Sequence, residues 1–340
     1  MELAIVSTTI HGEQGYLAFD RLAKSSSFFQ VKFVISGDKK SSAFDIGSFE
    51  CDVEYLNIQD QEKYKCSEPM GWNKIMRRNT ALLRAIESKP DFILVIDDDN
   101  FPQNDYFDVW YQTITNSVGK IAVPIDGQST DCWYNYLKTS DADIENYPRG
   151  YPIEFRYMDS TEVVVAEANI ANEKIGLYQG ISLGDPDIDA ITRIVYPKPI
   201  SEVKEIGYCC KNVWSPYNTQ NTMFAKAIFP LAFVWPHCGR YDDIYSSFAW
   251  QQFLFNNDMY AYVGQAINTQ DRGLRDILKD FNNEVEGYNN AVKVWEFIKT
   301  IKETEALEFI KKLSESENPI INRHREFMLA YLEDLDAVMA

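Results

Sequence analysis

The sequence predicts an α/β fold, a mostly parallel central sheet with a C-terminal helical extension. Three observations carry this. Short apolar runs rich in β-branched residues alternate with segments of helical periodicity over the first 125 residues. Apolar positions recur at helical spacing among Glu and Lys from about residue 283 onward. No internal repeat or low-complexity tract interrupts the chain.

The elements follow in order. Residues 3–9 and 30–36 are apolar runs that end in polar or glycine-bearing turns, as buried parallel strands do. Between them, 16–23 reads as a helix. In 75–87, Ile75, Leu82, Leu83 and Ile86 share a face and the segment stops before Pro90, so it is helical. Residues 91–96 and 121–125 are further strands. The stretch 126–235 is rich in Tyr, Pro and Asn and reads as largely loop, and long irregular stretches tend to carry function. Residues 244–255 form a helix. Val292, Trp295, Ile298, Ile301, Phe309, Ile310 and Leu313 mark a helical tail, continued over 327–335, that could serve as a homo-oligomerisation element.

Composition bounds the function. Lys+Arg number 33 and Asp+Glu 51 in 340 residues, a net charge of −18. That argues against general nucleic-acid binding, which needs basic surfaces to neutralise phosphates. A nucleotide ligand needs only a local basic cluster or a cation. No apolar run approaches the roughly 18–20 residues of a membrane span. Residues 1–7 read as a first strand rather than a signal peptide. Six cysteines without C-x-x-C spacing fit a reducing, cytoplasmic setting. With only His11, His237 and His324 available, any metal must lean on carboxylates.

The strongest candidate site is Asp97-Asp98-Asp99, which follows the 91–96 strand. Open α/β sheets place ligands at the carboxyl ends of their strands. Adjacent carboxylates repel unless a cation or solvent relieves them. Alternation puts Asp97 and Asp99 on one side and Asp98 on the other. Two hard oxygen ligands suit Mn²⁺ or Mg²⁺ on a diphosphate; a solvated acidic turn is the plain alternative. Just upstream, Lys74, Arg77 and Arg78 lie beside Trp72 and Asn73. Arginine forks suit phosphate oxygens, but a solvated basic helix face gives the same pattern. Arg149 stands between Pro148 and Gly150 on a constrained turn. Asp242 and Asp243 follow Gly239-Arg240-Tyr241 and precede a helix, so either could cap it or face a sugar.

Five segments occur in order: Gly71-Trp72-Asn73 with Arg77-Arg78-Asn79; the Asp97–Asp99 triplet; Arg149-Gly150-Tyr151-Pro152; Asp185-Pro186-Asp187-Ile188-Asp189-Ala190; and Gly239-Arg240-Tyr241-Asp242-Asp243. Together they resemble the reversibly glycosylated polypeptide family, the UDP-arabinopyranose mutases, and their bacterial nucleotide-sugar mutase relatives, over roughly residues 3–260. The resemblance implies a GT-A-like catalytic domain over 1–282 with a helical extension over 283–340. It implies a nucleotide-sugar substrate, interconversion of its pyranose and furanose forms, and a divalent metal, usually Mn²⁺, at Asp97 and Asp99. The family's glycosylated arginine falls on Arg149, for which positioning is the favoured role because a protonated guanidinium is a poor nucleophile. Of the catalytic candidates Asp242 and Asp243, one is expected to cap the helix and the other to face the sugar. Trp72, Asn73, Arg77, Arg78, Asp97, Asp98 and Asn221 would line the nucleotide-sugar site. A glycosyltransferase with a separate acceptor is the rival on the same fold. Two departures stand out. Ala225 follows Phe224 where the family commonly has an acidic residue. No histidine occurs in 264–271, where the family's Trp-His pair completes the metal shell; Asn268, Gln270 or Asp271 are the substitutes at hand.

Overall fold

The computed structural model describes residues 1–139, 146–156, 163–195, 199–203, 207–265, 267–270 and 276–340. Ten strands form one mixed sheet. They are β1 (Glu2–Thr8), β2 (Gln30–Ser36), β3 (Asp52–Leu56), β4 (Phe92–Ile96), β5 (Val118–Pro124), β6 (Val163–Ile170), β7 (Ile175–Gly180), β8 (Tyr208–Cys210), β9 (Asn221–Ala225) and β10 (Tyr260–Gly264). Their spatial order is β3-β2-β1-β4-β9-β7-β10-β8-β5-β6. The β3-β2-β1-β4 half is wholly parallel. The other half mixes directions, starting with β9, which runs antiparallel to both β4 and β7.

Side-chain alternation builds a core on each face of the sheet. Leu3 and Ile5 of β1, with Leu94 and Ile96 of β4, enter one core with Phe19 of helix α1 (Leu17–Ser25). Ala4, Val6, Ile93 and Val95 enter the other, with Leu82 and Leu83 of α2 (Arg78–Glu87). Helix α3 (Tyr106–Thr115) joins α1 on its face through Tyr106 and Phe107.

The expected α/β fold, with a mostly parallel central sheet and C-terminal helices, is present. The stretch 126–235, expected to be largely loop, supplies four strands of the sheet: β6, β7, β8 and β9. Of these, β8 and β9 are short, and β7 and β9 carry amides or hydroxyls inward. Gln179 of β7 and Asn221 and Thr222 of β9 are all buried. Each finds a buried partner: Thr222 Oγ1 donates to Gln179 Oε1 at 3.1 Å, and Asn221 pairs with Tyr106 and Asn268. A strand that buries polar side chains lacks the apolar run by which strands are read.

The tail comprises α6 (Ile277–Thr300), α7 (Ala306–Ser314) and α8 (Arg325–Met339), with α4 (Ala190–Val195) and α5 (Asp242–Asn256) preceding it in the chain. The 282/283 boundary falls inside α6. Trp295, Ile298, Phe309, Leu313, Phe327, Tyr331 and Leu335 belong to the same core as β1 and α2, so the tail's apolar face is buried within its own chain. Asp334 of α8 accepts the backbone N–H groups of Lys65 and Cys66 at 2.9 and 2.8 Å.

Gly287 marks where α6 meets the rest. A Cβ there would lie 2.1 Å from the ring of Tyr241. Helix propensity alone would make Gly287→Ala stabilising by about 1 kcal/mol. The steric conflict with a buried ring outweighs that gain, and overpacking of this kind typically costs about 1–3 kcal/mol. Urea unfolding should therefore show Gly287→Ala to be the less stable protein. An unchanged or raised midpoint would mean that the seam between α6 and Tyr241 is loose.

Candidate functional site

A cleft of about 370 Å³ opens where the parallel half of the sheet ends. Thr8, Thr9, Ile10 and His11 enter it from the end of β1, Asp38 from beyond β2, and Asp97, Asp98 and Asp99 from the end of β4. Asn73, Lys74, Ile75 and Arg78 form the opposite wall. A larger groove of about 730 Å³ lies between β3 and α8. Its ionic groups are engaged with one another, Arg84 with Glu54 and Glu87 and Lys63 with Asp60. The smaller cleft holds the convergent carboxylates and sits where parallel sheets bind ligands.

The three aspartates take three different partners. Asp97 accepts from Arg78 Nη2 at 2.6 Å. Asp98 accepts from the Thr9 hydroxyl at 2.5 Å. Asp99 accepts from Gln270 Nε2 at 3.0 Å. Gln270 reaches Asp99 because residues 268–270 pair antiparallel with 100–102, which continue directly from the triplet. Burial, with the neighbouring Asp97 carboxylate, raises the pKa of Asp98. The wall at 71–75 is fixed by Asp38, whose carboxylate accepts the N–H groups of Asn73 and Lys74 at 2.7 and 2.9 Å. Asn73 adopts φ 57°, a left-handed conformation that asparagine tolerates.

The adjacent arginines part company. Arg78 faces the cleft and also donates to the Thr219 hydroxyl at 2.6 Å. Arg77 is wholly buried away from it, donating to Gln61 Oε1 at 2.8 Å and to Ser67 O and Oγ at 2.9 and 2.8 Å. Trp72 stacks on that guanidinium, 3.8 Å from ring centroid to Cζ. Arg77 and Trp72 thus brace the wall and do not line the cleft, contrary to the sequence expectation. Asn221 is also internal. It accepts from Tyr106 Oη at 2.7 Å and donates to Asn268 Oδ1 at 3.2 Å.

Arg149 lies at the centre of a buried ionic cluster. Its guanidinium donates to both oxygens of Asp187, at 3.1 and 2.8 Å, and to both oxygens of Asp243, at 2.8 and 3.0 Å. It also donates to the Arg240 carbonyl. Burial alone would lower its pKa, but Asp187 and Asp243 outweigh that and hold it well above the ordinary value. Asp243 further accepts the Thr219 N–H at 3.2 Å, so Thr219 joins this cluster to Arg78 and Asp97. Asp242 accepts the Asp243 N–H at 2.9 Å in the first turn of α5. Neither Asp242 nor Asp243 opens into the cleft. Asp185, Asp187 and Asp189 each engage a different arginine: Arg193, Arg149 and Arg156.

Thr9, His11, Asp38 and Gln270 join the site from outside the main sequence motifs. Gln270 stands in the segment where a substitute for the absent histidine was expected, and Asp271 lies outside the described residues. Among the described residues, no group of three or more His, Cys, Asp or Glu side chains is gathered as a preformed metal site. Likewise, no helix is long and apolar enough to cross a membrane.

No family model and no curated protein matches this chain. Among solved structures it is similar to glucosyl-3-phosphoglycerate synthase from Mycobacterium tuberculosis, in complex with Mn²⁺ and UDP-glucose. That likeness has a TM-score of 0.41 at 9% identity, covering 85% of this chain and 78% of the other. It is also similar to S. aureus TarS 1–349, at a TM-score of 0.35 and 10% identity, covering 99% and 91%. In complex with UDP-GlcNAc, TarS gives 0.36 and 12% over the same shares.

Asp242 offers a test of the buried cluster. Burial, then the adjacent Asp243 carboxylate, raises its pKa. The unfolded chain loses this proton near pH 3.9 or so. Between that value and the raised one the folded state holds the extra proton, so stability falls as pH rises through the window. Asp242→Asn keeps the acceptor for the Asp243 N–H and removes the titration. Urea midpoints measured from pH 5 to 8 should decline less in this variant than in wild type. Parallel declines would show that Asp242 ionises freely.

Proposed function

We propose that this chain is a GT-A-like enzyme that seats a nucleoside-diphosphate sugar in the Asp97–Asp99 cleft and breaks its anomeric C–O bond. The observation that carries the reading is the row of three carboxylates lining the cleft at the carboxyl end of β4, with Asp97 held by Arg78 and Asp99 by Gln270. The donor set fits a hard divalent cation, Mn²⁺ or Mg²⁺. The carboxylates of Asp97, Asp98 and Asp99 are hard oxygen donors, and the His11 imidazole lies in the same lining. When bound, such a cation would offset charge on the departing diphosphate. Arg78 keeps Asp97 oriented, and Gln270 does the same for Asp99. Asn73 and Lys74, on the wall fixed by Asp38, would meet the phosphate and nucleoside side of the ligand.

Two fates of the sugar follow from the same cleavage. Transfer to a separate acceptor is the reading we favour. Arg149 is charged, buried and bound by two carboxylates, and a protonated guanidinium has no lone pair with which to take up a sugar. The mutase reading keeps one supporting observation. Arg78, Asp97, Arg149, Asp187, Arg240 and Asp243, drawn from all five ordered motifs, belong to one connected network. Incubation with UDP-glucose, UDP-galactose or UDP-arabinopyranose and Mn²⁺, without acceptor, separates the two. Slow release of UDP and free sugar supports transfer; a furanose isomer supports the mutase.

The cation assignment has its own test. Asp99→Asn should abolish the Mn²⁺-dependent part of UDP binding in calorimetry. Gln270→Ala, which removes the support of Asp99, should weaken it by roughly 10–100-fold. Wild-type affinities in both variants would remove the cation from this site.

A further inference from the structure

Glu284 sits in α6, among residues that dock this helix by apolar contact. Ala291, Val294, Trp295 and Ile298 of the same helix are buried in the core, and Gly287 closes on Tyr241. Docking the helix needs no carboxylate, and burying one is costly unless it is fully paired. Glu284 is nevertheless completely buried. One oxygen accepts from Arg240 Nε at 2.7 Å. The other accepts the Ala190 N–H at 2.9 Å and the Tyr288 hydroxyl at 2.5 Å. Outside its own helix, these partners belong to the 185–190 and 239–243 motifs.

From Glu284 an unbroken set of contacts leads to the cleft. Arg240 gives its carbonyl to Arg149 and lies 3.9 Å from Asp187. Arg149 grips Asp243, Asp243 accepts from Thr219, Thr219 accepts from Arg78, and Arg78 holds Asp97. We propose that Glu284 is a positioning residue for the cleft, and that it makes the C-terminal helix part of the site by fixing Arg240 and, through the Arg149 cluster, the placement of Arg78 and Asp97. This rests on the reading of the cleft given above.

The test compares two carboxylates that anchor the tail. Asp334 is buried and holds α8 to Lys65 and Cys66, with no contact to the cluster. Glu284→Gln and Asp334→Asn are followed by amide hydrogen exchange and by calorimetric titration with UDP and Mn²⁺. Glu284→Gln should raise exchange over 147–151 and 216–222 and weaken UDP binding by about tenfold. Asp334→Asn should raise exchange around 64–70 and leave UDP affinity at the wild-type value. Exchange changes confined to 277–290 in Glu284→Gln, or equal binding losses in the two variants, would overturn the proposal. If Glu284→Gln does not fold, Arg240→Gln breaks the same contact from the other side and is held to the same outcomes. Wild-type protein that binds no UDP with Mn²⁺ would sink the reading of the cleft, and the exchange pattern alone would then decide the coupling.

Discussion

The arrangement around the site depends on one constraint: a buried guanidinium has to be surrounded by acceptors. Arg149 is almost fully removed from water, and leaving such a charge unpaired would cost several kcal/mol. Two carboxylates meet it, one from residue 187 and one from residue 243. Meeting that requirement brings the 146–156 and 183–195 segments against the start of α5. Gly150, at φ 88°, makes the approach feasible, since a Cβ there would meet Ile244 at 2.3 Å. Asp185 and Asp189 repeat the device on either side with Arg193 and Arg156. The acidic segment 185–189 is therefore a row of three ion pairs, and its charge is spent within the fold.

Strands β1, β2 and β4 were legible because their side chains are apolar on both faces, as burial between two helical layers requires. Strands β7 and β9 were not, because Gln179, Asn221 and Thr222 are buried through hydrogen bonds to partners distant in sequence, which a linear pattern does not reveal. The triplet was legible for a different reason. An acidic cluster directly after a buried strand marks the strand's carboxyl end whatever its partners are. The two adjacent arginines show where this kind of reading stops. Successive positions at the start of a helix point about 100° apart, so Arg77 and Arg78 had to diverge, and nothing local says which one faces the ligand. Arg149 could be singled out on its constrained turn. Its partners lie 38 and 94 residues away, and without them a clamped cation reads like a reactive one.

The C-terminal helices show the same gap between element and role. Their periodicity is plain, and an amphipathic tail looks detachable. Here its apolar face completes the core under β1 and α2, and two carboxylates of α6, Glu284 and Asp280, lie 2.7 and 3.6 Å from Arg240 of the loop motifs. A helix joined to the rest by apolar contact alone could be shifted or replaced with little effect on chemistry. One that also neutralises Arg240 is tied to the loops that organise the cleft.

Charge in the cleft supplies the last step. The chain carries −18 overall, yet its proposed ligand is an anion. Asp97, Asp98 and Asp99 contribute −3, Arg78 contributes +1, and Asp38 and Lys74 cancel, which leaves −3 + 1 − 1 + 1 = −2 among these lining residues. A diphosphate alone would be repelled by that field. One divalent cation brings the same set to zero. A second arginine turned into the cleft would do part of that work, but Arg77 is committed to Gln61 and Ser67. Under the proposed reading, a cation from outside would supply the positive charge that these lining residues lack. That is the physical case for the proposed cation, and it rests on the balance of named side chains around the cleft.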